Sequence, residues 1–128
     1  FMGMMQRCVS PGRVLNEENA ARVVKALKLH ASLGETFYRL AQNAAQTGEP
    51  ITRHMAYAFP GQGFESVSTQ FMLGDDLLAA PVLEQGAKEK TVFLPRGRWQ
   101  DWKGQVWEGG RAVTLPVTLA DIPHFTRL

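Results

Sequence analysis

Paired carboxylates are the side chains of this sequence best suited to acid–base work, and they occur together at Asp75-Asp76. Cleavage of a glycosidic bond uses two carboxyl groups, one on each side of the scissile bond. Neighbouring residues on an extended chain point to opposite sides, so these two cannot flank one bond, and the pair reads as a turn or junction. His30, His54 and His124 are far apart in the sequence with no Ser or Cys motif around them, which predicts structural histidines rather than a triad. Cys8 is the single cysteine. It cannot form an internal disulfide, and without Cys or His neighbours at ligand spacing it predicts no metal site.

Trp99, Trp102 and Trp107 cluster with Asp101 in the segment Gly97-Arg-Trp-Gln-Asp-Trp-Lys-Gly-Gln-Val-Trp-Glu-Gly-Gly110. Indole faces can stack on sugar rings, which makes these three candidates for carbohydrate contact. The competing expectation is that their large area fills a small core. Gly61-Gln-Gly63 and Gly109-Gly110 are turns, because neither opens a helix after a strand as a phosphate loop must. No nucleotide or other cofactor is expected.

The elements that must position these residues fit one domain's length, 128 residues. With 45% hydrophobic and 20% charged residues, the chain can form a core. A formal charge of +2 with scattered basic residues gives no nucleic-acid footprint. No run reaches 18 apolar residues, so no membrane span is expected, and the first seven residues lack the layout of a signal peptide. A soluble protein is predicted, with the cytosol favoured.

Residues 1–6 read as a buried strand and Ser10-Pro-Gly12 breaks it. Asn16 with Glu17 and Glu18 marks a helix start. Apolar or small residues at Ala20, Val23, Val24, Leu27, Ala31, Phe37, Tyr38, Ala41 and Ala45 follow a helical period. Ser32-Leu-Gly34 predicts a break, and Gly48 with Pro50 predicts the stop. Ile51 to Phe59 reads as a strand ended by Pro60-Gly-Gln-Gly63, completing the strand-helix-strand pattern of a parallel α/β unit. After Gln70 come short apolar runs, Phe71-Met-Leu, Leu77 to Leu83, Thr91 to Leu94, Gln105 to Trp107 and Ala112 to Leu115, with Gly and Pro between them. That grammar predicts antiparallel β structure and a domain boundary near residue 70. Phe1 opens within an apolar segment and Ile122 to Leu128 ends within a strand-like run, so the chain is expected to be a piece of a longer protein.

Taken in order, these segments resemble the C-terminal part of glycoside hydrolase family 31, the retaining α-glycosidases that include α-glucosidases and α-xylosidases. Gln70-Phe-Met-Leu-Gly-Asp-Asp-Leu-Leu-Ala-Ala-Pro-Val-Leu83 is similar to the family's barrel-to-sandwich junction. Thr47-Gly-Glu-Pro-Ile-Thr-Arg53, Phe59-Pro60, Thr91-Val-Phe-Leu-Pro95, Gly97-Arg-Trp-Gln-Asp-Trp102, and Ile122-Pro123 with Phe125 follow at the family's spacing.

The resemblance implies an α+β fragment: residues 1–70 as the strand-helix-strand end of a (β/α)8 barrel, and 71–128 as part of an antiparallel β-sandwich. Barrel enzymes place chemistry at the C-terminal ends of strands. The family's nucleophile and acid/base aspartates lie on earlier strands, so this chain carries no catalytic residue and is expected to be inactive alone. Its parent would hydrolyse terminal α-linked sugars through a glycosyl-enzyme intermediate, between carboxylates roughly 5–5.5 Å apart.

Where many members carry an Arg-Asn-His-like segment whose His binds sugar hydroxyls, the aligned residues are Gln6, Arg7 and Cys8, the candidates for substrate contact. A subset of the family instead reads Met-Met-Gln with a Ser-Ala-Pro-Trp-Arg-like continuation, which Ser10-Pro-Gly-Arg13 resembles with Gly12 in place of Trp. Arg53 matches a family arginine read here as structural. With earlier strands missing, the apolar faces of residues 1–6 and 51–59 would be exposed, so self-association or pairing with the rest of the barrel is expected. The alternative is a free-standing carbohydrate- or protein-binding module using Trp99, Trp102 and Trp107.

Overall fold

A computed structural model describes residues 16–128. The expected strand at residues 1–6 lies outside them. The chain divides between Phe37 and Tyr38 into two compact units.

The first unit begins with a reciprocal pair: the Asn16 N–H donates to Asn19 Oδ1 at 2.8 Å, and the Asn19 N–H to Asn16 Oδ1 at 2.9 Å. Asn16 thus starts a turn, and helix α1 spans Ala20–Ser32 with Asn19 as its N-cap residue. The helix stops where the Ser32 hydroxyl donates back to the Leu29 carbonyl at 2.7 Å, competing with the ladder. Helix α2, Gly34–Thr47, restarts after Leu33, so the break expected at Ser32-Leu-Gly34 is present. Gly48, at φ 78°, ends α2 with its N–H on the Ala44 carbonyl. This left-handed position is where glycine costs least.

Neither helix buries a residue fully. The half-buried face of α1 runs through Ala20, Val23, Ala26 and Leu29. Val24 and Leu27, on the same period but rotated, stand 43% and 40% exposed.

In the second unit, strand β1 covers only Thr52–His54. The expected strand to Phe59 is cut short by a helical turn, α3, at Met55–Ala58, which His54 caps by accepting the Ala56 N–H on Nδ1 at 3.1 Å. Met-Ala-Tyr-Ala has no β-branched residue and two alanines, which favours the turn. The remaining strands are β2 (Phe71–Leu73), β3 (Leu77–Ala79), β4 (Glu89–Leu94), β5 (Arg98–Asp101), β6 (Val106–Glu108), β7 (Arg111–Pro116) and β8 (His124–Arg127). Among the described residues they form a sheet of order β1-β2-β3-β8-β5-β6 and a two-stranded sheet, β4-β7. Every pairing is antiparallel. The architecture is mixed helix and antiparallel sheet.

One apolar core takes residues from both sheets. Met72, Leu78, Trp99 and Phe125 come from the larger sheet, and Val92, Leu94, Val113 and Leu115 from the smaller. The strict in-out alternation of β7, with Val113 and Leu115 inside and Thr114 and Pro116 outside, is the period-2 pattern of a strand with one wet face. Gln70, 2% exposed, treats β4 as a partner strand would: its Nε2 donates to the Phe93 carbonyl at 2.7 Å and its Oε1 accepts the Phe93 N–H at 2.8 Å.

Candidate functional site

The tryptophan cluster is built on the β5–β6 hairpin. Asp101 ends β5 and is 7% exposed. Its Oδ1 accepts the N–H groups of Lys103 and Gln105, each at 2.9 Å, and its Oδ2 accepts the Trp107 indole N–H at 2.9 Å. The short side chain thereby closes its own turn, as aspartate does in such loops. Both oxygens are engaged, so the carboxylate fastens the hairpin instead of standing free as an acid or base.

Trp99 is fully buried, its indole N–H on the Pro95 carbonyl at 2.9 Å and its ring edge-on to Phe59 with centroids 6.2 Å apart. No face is left for a sugar ring. Burying an indole of roughly 200 Å² at about 25 cal/mol/Å² contributes on the order of 5 kcal/mol. Trp102 and Trp107 pack partly buried against the same core. Trp102 meets Phe125 edge-on at 6.0 Å and carries the Lys103 ammonium 5.3 Å from its ring centroid. Its indole N–H is buried with no hydrogen-bond partner in reach and alignment, although it is near enough to Asp121 to favour that carboxylate.

Asp75 and Asp76 occupy the tight turn between β2 and β3, as expected for a junction. Asp75 is ion-paired with Arg53, whose Nε also donates to the Pro50 carbonyl at 2.8 Å. Arg53, 7% exposed, joins Glu49 at 4.0 Å as well, consistent with the structural role expected of it. The Tyr57 hydroxyl donates to Glu49 Oε2 at 2.8 Å. That bond, then burial and the Glu49 charge, raise the Tyr57 pKa against the opposing pull of Arg53. The turn's own glycine, Gly74 at φ 66°, sits under Leu40, whose Cδ2 lies 2.6 Å from where a Cβ would be.

The histidines serve local structure. His54 caps α3, the Nδ1 of His124 is 2.7 Å from the Ile122 carbonyl, and His30 packs on Phe37. His54 pairs with Phe71, Phe71 with Ala79, and Ala79 with His124. Three strand spacings therefore part His54 from His124, about 14 Å, too far to share a proton. Gln6, Arg7 and Cys8 lie outside the described residues, among which no cluster of His, Cys, Asp or Glu could hold a metal ion. No described helix is long and apolar enough to cross a membrane.

Gln70, Thr118 and Asp121, given no role from the sequence, also shape the unit. Gln70 was hidden because its work is done by a side-chain amide. The Thr118–Asp121 spacing was a usable signal: Asp121 Oδ2 accepts the Thr118 N–H at 2.8 Å and lies 3.2 Å from its hydroxyl. Burial works to raise the Asp121 pKa, but these Thr118 bonds, Trp102 and Lys103 together hold it below the ordinary value.

Among the described residues, then, helical turns lead into a wholly antiparallel two-sheet unit whose Asp75, Asp101 and Asp121 are engaged in turns and pairs. Comparison with known proteins identifies its kind. The sequence profile described as "Glycosyl hydrolase family 31 C-terminal domain" matches residues 48–128. The chain belongs to glycoside hydrolase family 31. It is 35% identical to the mouse (Mus musculus) myogenesis-regulating glycosidase, covering 98% of this chain and 18% of that protein. Among solved structures it resembles a GH31 α-xylosidase from a soil metagenome, with 35% identity, a TM-score of 0.83 and coverage of 88% and 17%. A Flavobacterium johnsoniae GH31 dextranase matches at 32% identity and a TM-score of 0.84, covering 95% and 15%. The chain thus spans less than a fifth of the length of these relatives.

Proposed function

We propose that the chain is the C-terminal part of a retaining α-glycosidase that hydrolyses terminal α-linked sugars. In this reading residues 1–70 end a (β/α)8 barrel and 71–128 form part of a β-sandwich that braces it. Both catalytic aspartates lie outside the chain, and Gln6, Arg7 and Cys8 approach the substrate. The observation that carries it is the asymmetry of the matches: nearly all of this chain aligns with the mouse glycosidase, yet only 18% of that protein is used. The exposed Val24 and Leu27 agree with it, since a barrel helix would turn such residues to neighbours. Self-association, or pairing with the rest of the barrel, belongs to the same reading; Met55 and Phe59 are buried within the chain, so the exposed Val24 and Leu27 support it and the 51–59 face does not. Sequencing the coding DNA upstream of Phe1 tests the proposal. An open frame encoding earlier barrel strands with two aspartates is expected, and a start codon directly before Phe1 would overturn it.

The second reading, a free-standing carbohydrate-binding module, rests on the partly exposed rings of Trp102 and Trp107. Titration with maltose-like oligosaccharides, followed by tryptophan fluorescence, distinguishes the two: saturation favours the module, and an unchanged spectrum favours the structural part.

A further inference from the structure

The Leu94–Arg111 end of the β4–β7 pair and the glycine-rich segment after Phe59 line a cleft of about 410 Å³. That is within the roughly 300–1,000 Å³ of small-molecule sites. Its walls include Gln62, Ser66, Phe93, Arg96 and Arg111. Register explains the convergence: Arg111 lies opposite Leu94, the last residue of β4, and Arg96 follows two residues later. Gly110, at φ 78°, holds the return of the chain, with its N–H on the Leu94 carbonyl at 2.8 Å. Gln62 is fixed across the cleft, its Oε1 accepting the Arg96 N–H at 3.2 Å.

The charge of this cleft is one-sided. No carboxylate lines it, and among the described residues neither guanidinium forms an ion pair. Arg111 donates from Nε only to the Glu108 carbonyl, at 3.3 Å. Two arginines supply forked donors that match an oxyanion, and a guanidinium loses less hydration in such a pairing than an ammonium would. Phe93, 39% exposed, offers an apolar ring, while the Gln62 amide and Ser66 hydroxyl can bond to hydroxyl groups.

We propose that this cleft binds an acidic monosaccharide unit, its carboxylate or phosphate held by Arg96 and Arg111 and its ring laid against Phe93. The anionic part of the proposal rests on the arginines alone; the saccharide part rests on the glycosidase reading, which upstream sequencing tests separately.

Calorimetric titration of the 128-residue chain with glucuronate, glucose 6-phosphate, glucose and benzoate tests it. One of the two acidic sugars should saturate with a Kd on the order of 1 mM, a value ordinary for a ligand of this size. Glucuronate alone would assign a carboxylate, and glucose 6-phosphate alone a phosphate. Both arginines are exposed, so R96Q and R111Q should fold, and each should weaken binding about tenfold or more. R111K should retain part of it. Equal binding of glucose, benzoate as tight as glucuronate, affinity unchanged in both Gln variants, or no saturation by either acidic sugar would overturn the proposal.

Discussion

The Trp107 indole N–H and the Asp101 carboxylate meet at 2.9 Å, so the far strand of the β5–β6 hairpin is tied to the residue that also closes its turn. With two backbone N–H groups on its other oxygen, Asp101 supports the hairpin at three points. D101A should therefore destabilise the unit by about 2–4 kcal/mol, the loss of several charge-assisted bonds at a mostly buried site. D101N, which keeps an acceptor oxygen, should cost about half of that. Urea unfolding followed by tryptophan emission measures both.

Gln70 predicts a smaller effect of the same kind. Q70A leaves the N–H and carbonyl of Phe93 without their side-chain partner. Both bonds are part-buried, so water replaces some of the loss. A destabilisation of about 1–2 kcal/mol is expected from the unfolding midpoint, with an unchanged denaturant slope.

Two glycines should separate steric from conformational cost. A Cβ at Gly109 would lie 1.7 Å from the Pro95 carbonyl oxygen. Its own N–H is bound to the Gly97 carbonyl at 2.7 Å. G109A must then displace the backbone, and loss of cooperative unfolding is expected. Gly104, at φ 89° in the β5–β6 turn, has open space around it. G104A should cost only about 1–2 kcal/mol of backbone strain.

Acid should weaken the segment before β8. The folded-state pKa of Asp121 is lowered, so its stabilising contribution is present above the unfolded value and is lost as pH falls through the folded one. D121N should flatten the acid limb of the stability curve at and below about pH 4 and leave the slope near neutrality unchanged. A series of thermal melts across that range reads the difference. Tyr57 acts at the other end: its raised pKa favours the neutral phenol, so its contribution holds below the ordinary phenol pKa near 10 and fades as pH rises past the folded value.

Much of this was legible in the sequence because it depends on neighbours. Ser32-Leu-Gly34 and Gly48 end helices through local backbone geometry, and Phe71-Met-Leu and Ala112 to Leu115 alternate or run apolar as strands must. The expected strand over Ile51 to Phe59 ends early because the short apolar run Met55 to Phe59 does not by itself distinguish strand from helical turn, and His54 caps it as a turn. Strand β5 was concealed by Arg98, Gln100 and Asp101 around one tryptophan. The insertion of β8 between β3 and β5 is a long-range pairing that no local pattern encodes. The same distinction holds at the site: the tryptophans stood out by type, whereas the deep burial of Trp99 depends on Phe59, forty residues earlier. The Arg53–Asp75 pair likewise exists only once β1 and β2 are joined.

In the proposed reading, this family 31 chain leaves both reacting carboxylates to another part of the enzyme. Incubating the 128-residue chain with p-nitrophenyl α-glucoside and α-xyloside, and following nitrophenol release, tests that directly. A rate equal to the buffer blank at every substrate concentration is predicted. Saturable release proportional to chain concentration, with retention at the anomeric carbon, would contradict it.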